Sequence, residues 1–387
     1  MASTPSRRTL LTASLAGVAA ASLTSTAEAT PGSARQIDDI VAAITPPGVG
    51  ITVAVSKHGR TVFTKGYGLR DRGRPDVFTG EDFFKVEQLD DRLHLSRGRR
   101  PATGDTIYNL GSISKGFTSA AVLRLHERGK LSVYDPLGKY LPEFPRAAAI
   151  TLLQLLQQVS GIIDYNQFPL FQPAYDAFVA SDERDHSEVV AKLQTLPLQF
   201  PAGSQYAYSN TNYLLLGLVV QKVTRMTLGE YLAQSFFRPL RMRDTRQSYP
   251  ALGSRDVALG YYAEADGVRR AYQWNLPWML GAGGITGTAE DLARWDAALL
   301  RPGLFRAETL QLMFTPILGS YACGWVAQTH EGRPLIWHNG TVGGFHAMHA
   351  LFPDDGIAVV LLGNDQTTQA QLDPSATAVF DAITAAR

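Results

Sequence analysis

The chain has 387 residues, 45% hydrophobic and 18% charged, a balance that allows a large buried core and excludes a disordered or collagen-like polymer. Lys and Arg number 36 against 35 Asp and Glu, a net charge of +1; with no long basic block, the electrostatic footprint of a nucleic-acid binder is missing. The single cysteine, Cys323, has no partner for an internal disulfide, and no Cys/His cluster has zinc spacing.

Residues 1–29 read as an export signal. Ser6-Arg7-Arg8-Thr9-Leu10-Leu11 precedes a weakly apolar Ala/Leu/Val stretch to Leu23, and Ala27-Glu28-Ala29 offers small residues on both sides of Glu28. This resembles a twin-arginine signal, and its apolar run is short for a bilayer span. Removing it takes away Arg7, Arg8 and Glu28, leaving a neutral mature chain (36 less two against 35 less one) with no stable membrane span expected. A protein exported already folded has no need of disulfides formed outside, which fits the lone cysteine.

In the mature chain, Ile37, Ile40, Val41 and Ile44 have helical spacing that Pro46-Pro47 ends. Alternating runs Val49–Ser56 and Thr61–Tyr67 flank the turn residues Lys57-His58-Gly59-Arg60 and predict a hairpin. Residues 71–100 form a charged excursion anchored by Phe83-Phe84. A helix is predicted over 112–128, ended by Gly129, and Pro136, Pro142 and Pro145 then break the chain. The region 150–310 is mostly helical in pattern: Thr151–Gln158, Asn210–Val223, Leu228–Phe237, and a helix opened by Thr288-Ala-Glu-Asp291 and running to Leu300. Strands return at Tyr321–Thr329, Leu335–His338, Phe345–Phe352 and Ile357–Leu362, before a closing helix over 369–386. The fold class expected is α/β (α+β): an antiparallel sheet built from both chain ends and flanked by helices, with an all-helical lobe, about 135–310, inserted into a domain spanning 36–387. A cleft belongs at the junction.

Three short stretches carry chemistry. In Gly111-Ser112-Ile113-Ser114-Lys115, Ser112 and Lys115 are three apart, so in a helix their side chains share a face. A serine hydroxyl needs a base to become nucleophilic, and a lysine desolvated in a cleft can have its pKa lowered enough to serve. Free N–H groups at the helix start can hold an oxyanion. The bland reading is a helix cap and a solvated lysine, and the motif is short and common. Tyr208-Ser209-Asn210 precedes an apolar helix, so a phenol there can pass a proton and Asn210 can orient a lysine or a substrate amide; alone they would be a core tyrosine and a cap. His338-Asn339-Gly340-Thr341-Val342-Gly343-Gly344-Phe345 follows an apolar strand, and glycines at a strand edge let a substrate backbone pair closely. By itself this is a turn containing a histidine.

In order and separation the three stretches resemble the serine β-lactamase and penicillin-binding-protein superfamily, in the branch of class C β-lactamases, D-alanyl-D-alanine carboxypeptidases and family VIII esterases. The resemblance extends to the opening hairpin, Gln199–Ser204, Arg238–Thr245, and Gly281–Gly284 leading into Thr288–Ala293. It implies a β-lactamase/transpeptidase-like fold and an exported, periplasmic or secreted, serine hydrolase working without cofactor or metal. Ser112 would be acylated, Lys115 would be its base and Tyr208 the proton relay. The Ser112 and Thr341 N–H groups would form the oxyanion hole, with Asn210, His338 and Gly340 binding substrate. Candidate substrates are a D-amino-acid peptide, an ester or a β-lactam, with peptidase or esterase preferred over β-lactamase; a non-catalytic penicillin-binding sensor and an inert structural protein are the readings from other classes.

The sequence departs from the pattern in three places. His338 stands where β-lactamases of this branch usually carry lysine, Leu156-Gln157-Gln158-Val159-Ser160-Gly161 replaces a common Thr-His-Thr before Ser-Gly, and the 71–100 excursion is long. All three are expected to bear on substrate choice, and His338, near its ordinary pKa, is expected to give activity on carboxylates that falls as pH rises. No G-x-S-x-G elbow and no H-E-x-x-H occurs; His346 and His349, three apart on a predicted strand, should point to opposite faces and not join in a metal site.

Overall fold

The computed structural model describes residues 28–73, 99–144, 146–167, 187–248, 256–264, 267–271 and 279–385. Nearly all of the expected signal and of the 71–100 excursion, with Phe83-Phe84, lies outside the described residues.

A seven-stranded sheet joins the two ends of the chain. Strands β1 (Gly50–Lys57) and β2 (Arg60–Asp71) form the first hairpin, followed by the short β3 (Arg100–Pro101) and β4 (Tyr108–Asn109). Late in the chain come β8 (Val326–His330), β9 (Arg333–Val342), β10 (Phe345–Phe352) and β11 (Ile357–Gly363). Their order is β3-β2-β1-β11-β10-β9-β8, so β11 pairs antiparallel with β1, from Ile51 opposite Gly363 to Lys57 opposite Ile357. Three of the hairpins turn on two residues of positive φ: His58-Gly59, Glu331-Gly332 and Gly343-Gly344. Such turns carry the twist of the flanking strands, which is why glycine sits second in each.

The central strands β1, β10 and β11 are buried along almost their whole length, because helices cover both faces of the sheet. On one face lie α1 (Pro31–Ile44), capped by Thr30, and the closing helix, residues 369–385. There Ile37, Val41, Leu372 and Val379 pack on Val53, Val359 and Leu361, and Phe380 stacks on Phe352 with 3.7 Å between ring centroids. The other face carries the larger core, with α2 (Ser114–Glu127) running through its middle.

Between α2 and β8 the described residues are mostly helical: α3 (Leu152–Leu156), α4 (Ser187–Gln194), α5 (Asn210–Thr224), α6 (Leu228–Leu232), α7 (Ala289–Leu299) and α8 (Ala307–Phe314), and the closing helix (Gln369–Ala385) is α9. Short ladders lie among them, β5 (Tyr261–Glu264) with β6 (Gly267–Arg270), and β7 (Thr286–Gly287) with β4. Thr151 and Thr227 each close a capping box, and Thr288 accepts from Asp291 N to start α7.

The structure redraws four expected elements. The helix predicted from residue 112 begins as a 3-10 turn, Gly111–Ile113, before α2. The run 228–237 is α6 followed by a π turn over Ala233–Phe237. Of the run 321–329 only the part from Val326 joins the sheet, as β8, because Gly324, at φ +77°, bends the chain so that Tyr321 bridges Val326 alone. The stretch His338–Val342, read as a turn, is the continuation of β9, held by the ladder to β10 from Leu351–Ile336 through to Phe345–Val342. Since β8 pairs no further than Trp337, β9 from His338 onward is an open edge.

Candidate active site

Ser112 sits in the 3-10 turn, half-buried, at the mouth of α2; Lys115, one turn on, has no exposed surface. Its Nζ lies 2.9 Å from Ser112 Oγ, 2.7 Å from Asn210 Oδ1 and 2.7 Å from the Ala282 carbonyl oxygen. The Tyr208 hydroxyl donates to Ser112 Oγ at 2.8 Å, and the Lys115 ammonium stands 4.9 Å from the Tyr208 ring centroid. Lysine and tyrosine thus meet on one serine oxygen, although Tyr208 comes from a segment 96 positions away.

Burial governs the protonation of these groups. Taking the Lys115 ammonium out of water lowers its pKa to about 7, against a smaller opposing pull from the Asp164 carboxylate. At neutral pH a large share of Lys115 is therefore an amine with a lone pair for a proton. Tyr208 moves the other way: burial raises its pKa well above the ordinary phenol value, and it remains a neutral donor.

Asn210 is the first residue of α5, and Ser209 precedes it as the cap position; its side chain faces inward. While Oδ1 receives Lys115, Nδ2 donates to Asp164 Oδ2 at 2.9 Å, and the same oxygen accepts from Asn210 N at 3.2 Å. Asp164, which the sequence reading did not single out, fixes the orientation of Asn210 and hence of the lysine. The same reading missed the Ala282 carbonyl, a backbone acceptor within Gly281-Ala282-Gly283-Gly284 that side-chain patterns do not reveal.

Gln157 and Gln158, expected to bear on substrate choice, make their contacts within the interior. Both are fully buried. Gln158 Oε1 accepts from Ser209 N at 3.0 Å and Asn212 Nδ2 at 2.6 Å, while Gln157 Nε2 donates to the Thr315 carbonyl. Gln158 thereby supports the Tyr208–Asn210 segment, and Gln157 ties the end of α3 to the Thr315–Ile317 stretch. A buried amide oxygen needs donors, and for Gln158 the Ser209 N–H and the Asn212 amide provide them.

Gly340 lets β9 approach the nucleophile. A Cβ at Gly340 would stand 2.1 Å from the Leu110 carbonyl oxygen and 2.9 Å from Ser112 N; one at Gly111, itself at φ +50°, would stand 2.9 Å from Thr341 N. The main-chain nitrogens of Ser112 and Thr341 are thereby neighbours, the arrangement needed for a two-donor oxyanion pocket.

His338 is 4% exposed and lies among aromatic rings, 5.6 Å from Tyr321 and 6.4 Å from Tyr208 between centroids. Its Nδ1 is 2.5 Å from the Asn339 carbonyl oxygen and its Nε2 is 3.0 Å from the Tyr321 hydroxyl. A carbonyl only accepts, so Nδ1 carries the proton and Tyr321 donates to Nε2. Burial, reinforced by the nearby Lys115, lowers its pKa to about 3. The expectation of a histidine titrating near its ordinary value is overturned: the ring is desolvated and neutral across the working pH range. The aromatic wall continues to Tyr206, 46% exposed and 6.0 Å from Tyr321.

His346 and His349 take opposite faces of β10, as expected. His346 meets Thr341 and Asp373; His349 is buried against Asp296 of α7, with Nε2 2.5 Å from Oδ1. Among the described residues, His330, Glu331 and Asp381 bring potential metal-ligand atoms within 4.8 Å of one another, but this group belongs to the partly exposed β8–β9 turn and α9 and includes none of the Ser112 constellation. No helix among the described residues is long and apolar enough to cross a membrane.

Comparison with known proteins gives concordant results. The family model for beta-lactamase matches residues 40–383. Protein flp of Staphylococcus aureus (strain COL) is 28% identical over 348 residues, covering 86% of this chain and 63% of its own length. A penicillin-binding protein of Bacillus subtilis (strain 168) is 26% identical over 288 residues, covering 69% of this chain and 63% of its own. The chain therefore spans less than two thirds of the curated relatives it matches. Among solved structures, the D-amino acid amidase of Ochrobactrum anthropi SV3 superposes with a TM-score of 0.72 at 21% identity, covering 92% of this chain and 97% of the amidase. With a match over nearly the whole described domain and the same mixed architecture in its structural neighbours, the chain belongs to the beta-lactamase family.

Proposed function

We propose that the protein is an exported serine hydrolase that works through an acyl-enzyme on Ser112, cleaving D-amino-acid peptides of the D-alanyl-D-alanine type or carboxylic esters. The observation that carries this is the convergence of Lys115 Nζ, at 2.9 Å, and Tyr208 OH, at 2.8 Å, on Ser112 Oγ. The names of the relatives, a penicillin-binding protein and a D-amino acid amidase, support the substrate range. The arginine pair and apolar run of residues 6–23 support export.

In acylation the neutral Lys115 takes the Ser112 proton as Oγ bonds to the substrate carbonyl carbon. The carbonyl oxygen, now an oxyanion, is held by the Ser112 and Thr341 N–H groups. As the intermediate collapses, the bond from carbonyl carbon to leaving group breaks, and Tyr208 delivers a proton to the departing nitrogen or oxygen, recovering one from Lys115. Water then adds to the ester by the same path in reverse and releases the acid. Asn210 and the Ala282 carbonyl hold Lys115 in place throughout, so no proton transfer waits on a rotamer change.

The test is intact mass after incubation with penicillin, a D-Ala-D-Ala peptide and p-nitrophenyl esters, together with turnover of each. The proposal requires an adduct of acyl mass on Ser112 and multiple turnovers of peptide or ester. Fast hydrolysis of penicillin would identify a β-lactamase instead. An adduct that never turns over would identify a penicillin-binding sensor.

A further inference from the structure

Lys115 meets three oxygens, and their chemistry fixes where its own hydrogens go. Asn210 Oδ1 and the Ala282 carbonyl oxygen, each 2.7 Å from Nζ, can only accept. A neutral amine has two hydrogens and one lone pair. With both hydrogens taken by those two oxygens, the lone pair is left for Ser112 Oγ, at 2.9 Å. The arrangement holds only while Asn210 shows its oxygen to the lysine, and the residue that enforces this lies on the far side of the amide.

Asp164, a buried side chain, accepts through Oδ2 from Asn210 Nδ2 at 2.9 Å and Asn210 N at 3.2 Å, and through Oδ1 from Asn166 N at 2.9 Å. Two of these donors are main-chain N–H groups, so both carboxylate oxygens are held as acceptors; the amide nitrogen of Asn210 must face Oδ2 and its oxygen must face Lys115. The carboxylate is pinned from α5: Thr211 Oγ1 donates to the Ile163 carbonyl at 2.7 Å and receives Tyr165 N at 3.1 Å, on either side of Asp164. The other titratable groups packed around the lysine carry no charge to rival it. Tyr208 and Tyr213, with ring centroids 4.9 and 5.7 Å from Nζ, are kept as phenols by burial, and so is Tyr321. The Cys323 thiol, whose neighbour Gly324 packs on the Lys115 backbone, is pushed up to about 12, and His338 is held neutral. Among the described residues, Asp164 is therefore the charge that holds Lys115 up while desolvation pulls it down.

From this we infer that Asp164 is a positioning residue for acylation in two respects: through Asn210 it aims the lysine lone pair at Ser112, and by its charge it sets the pH range over which the lysine serves as base. The inference rests on the acyl-enzyme reading above and adds the residue that regulates its base; the covalent steps are unchanged, and the proton still passes from Ser112 to Lys115. As a plain cap at the start of α5, Asp164 would stabilise that helix and leave the lysine's pH range alone. A pH profile tells the two roles apart.

The experiment follows kcat/KM for a neutral ester across its rising limb and plateau in the native protein, Asp164→Asn and Asp164→Glu, with circular dichroism to establish that each is folded. In Asp164→Asn the lysine loses the charge that favours its protonated form, so the limb should move to lower pH by about half a unit or more. The plateau should fall at least ~10-fold, because an amide offers a donor as well as an acceptor and Asn210 no longer has one required orientation. Asp164→Glu keeps the charge and displaces the oxygens: its plateau should fall while its limb stays at the native pH. Should Asp164→Asn fail to fold, Asp164→Ser removes the charge and leaves a hydroxyl oxygen to accept, and the same downward move of the limb is expected. A limb that stays in place or moves up when the charge is removed, a plateau at the native level in Asp164→Asn, or a limb that moves down in Asp164→Glu overturns the inference while leaving the acyl-enzyme intact. Failure of neutral esters to label Ser112 in the native protein overturns the acyl-enzyme reading and the inference with it.

Discussion

Lys115 combines full burial with a place beside the nucleophile, and its chemistry can be isolated by pH. Protonated, it cannot take the Ser112 proton, so kcat/KM for a neutral ester should climb about tenfold per pH unit below the lysine pKa and level off above about 7. Tyr208, held above the ordinary phenol range, should add no falling limb at mildly alkaline pH. Neutral His338 should add none either, in contrast to what its residue type alone predicts. Lys115→Arg tests the assignment directly, because a guanidinium stays protonated and activity should be lost at every pH; an active Lys115→Arg protein would remove the base role. Ser112→Ala should abolish adduct and turnover with the fold retained, read by intact mass and circular dichroism. Lys115→Ala and Tyr208→Phe should each slow acylation by at least ~10²-fold. Since both act on the same oxygen, the double variant should be little worse than the worse single one, and additive losses would show that they do not work as a unit.

At the scale of elements, the site depends on how closely β9 lies against the 3-10 turn that bears Ser112. A methyl at Gly340 would have to occupy space 2.1 Å from the Leu110 carbonyl oxygen, which is backbone and cannot swing away. Gly340→Ala should therefore separate the two oxyanion donors and lower kcat by at least ~10-fold, the range for disturbing one such donor. A kcat near native would show that β9 does not supply the second donor. Beneath the Tyr208 segment, Gln158→Leu removes the acceptor of Ser209 N and Asn212 Nδ2. Two buried donors lose a partner, at about 1–3 kcal/mol each, so the melting temperature should fall, and turnover with it, as Tyr208 and Asn210 lose their support.

For the molecule as a whole, the sheet is the joint between sequence-distant segments. Strand β11 lies between β1 and β10, so a chain cut before Ile357 exposes two central ladders at once and should not fold, as limited proteolysis and circular dichroism would show. A protease-resistant core from that truncation would mean that the early segments fold without the late strands. Across the sheet, the His349–Asp296 pair ties β10 to α7 with no exposed surface on either side chain. Asp296→Ala leaves the buried His349 Nε2 without its hydrogen-bond partner and should cost about 1–3 kcal/mol. Activity per folded molecule should stay near native, because neither residue touches Ser112, Lys115 or Tyr208.

Much of this was legible in the chain itself, where the signal is local. Period-two runs bounded by His58-Gly59 and Pro353–Gly356 mark the hairpins, the threonine caps mark helix starts, and the three-residue step from Ser112 to Lys115 puts both side chains on one helical face whatever surrounds them. Order and spacing of the three motifs then pointed to the family. What local pattern could not supply is everything that depends on partners brought from afar. Asp164, the Ala282 carbonyl and Tyr321 reach the site only through packing. The continuation of β9 through His338–Val342 is decided by the ladder to β10, because a glycine-rich stretch has no strand preference of its own. Gln157 and Gln158 read as a departure bearing on substrate choice until their burial and partners show the contacts they make in the interior. The protonation of His338 turned on the same cause: a side chain's intrinsic pKa belongs to its residue type, but the cost of charging it is set by the solvent it has lost and the charges placed near it, and those exist only in the folded molecule.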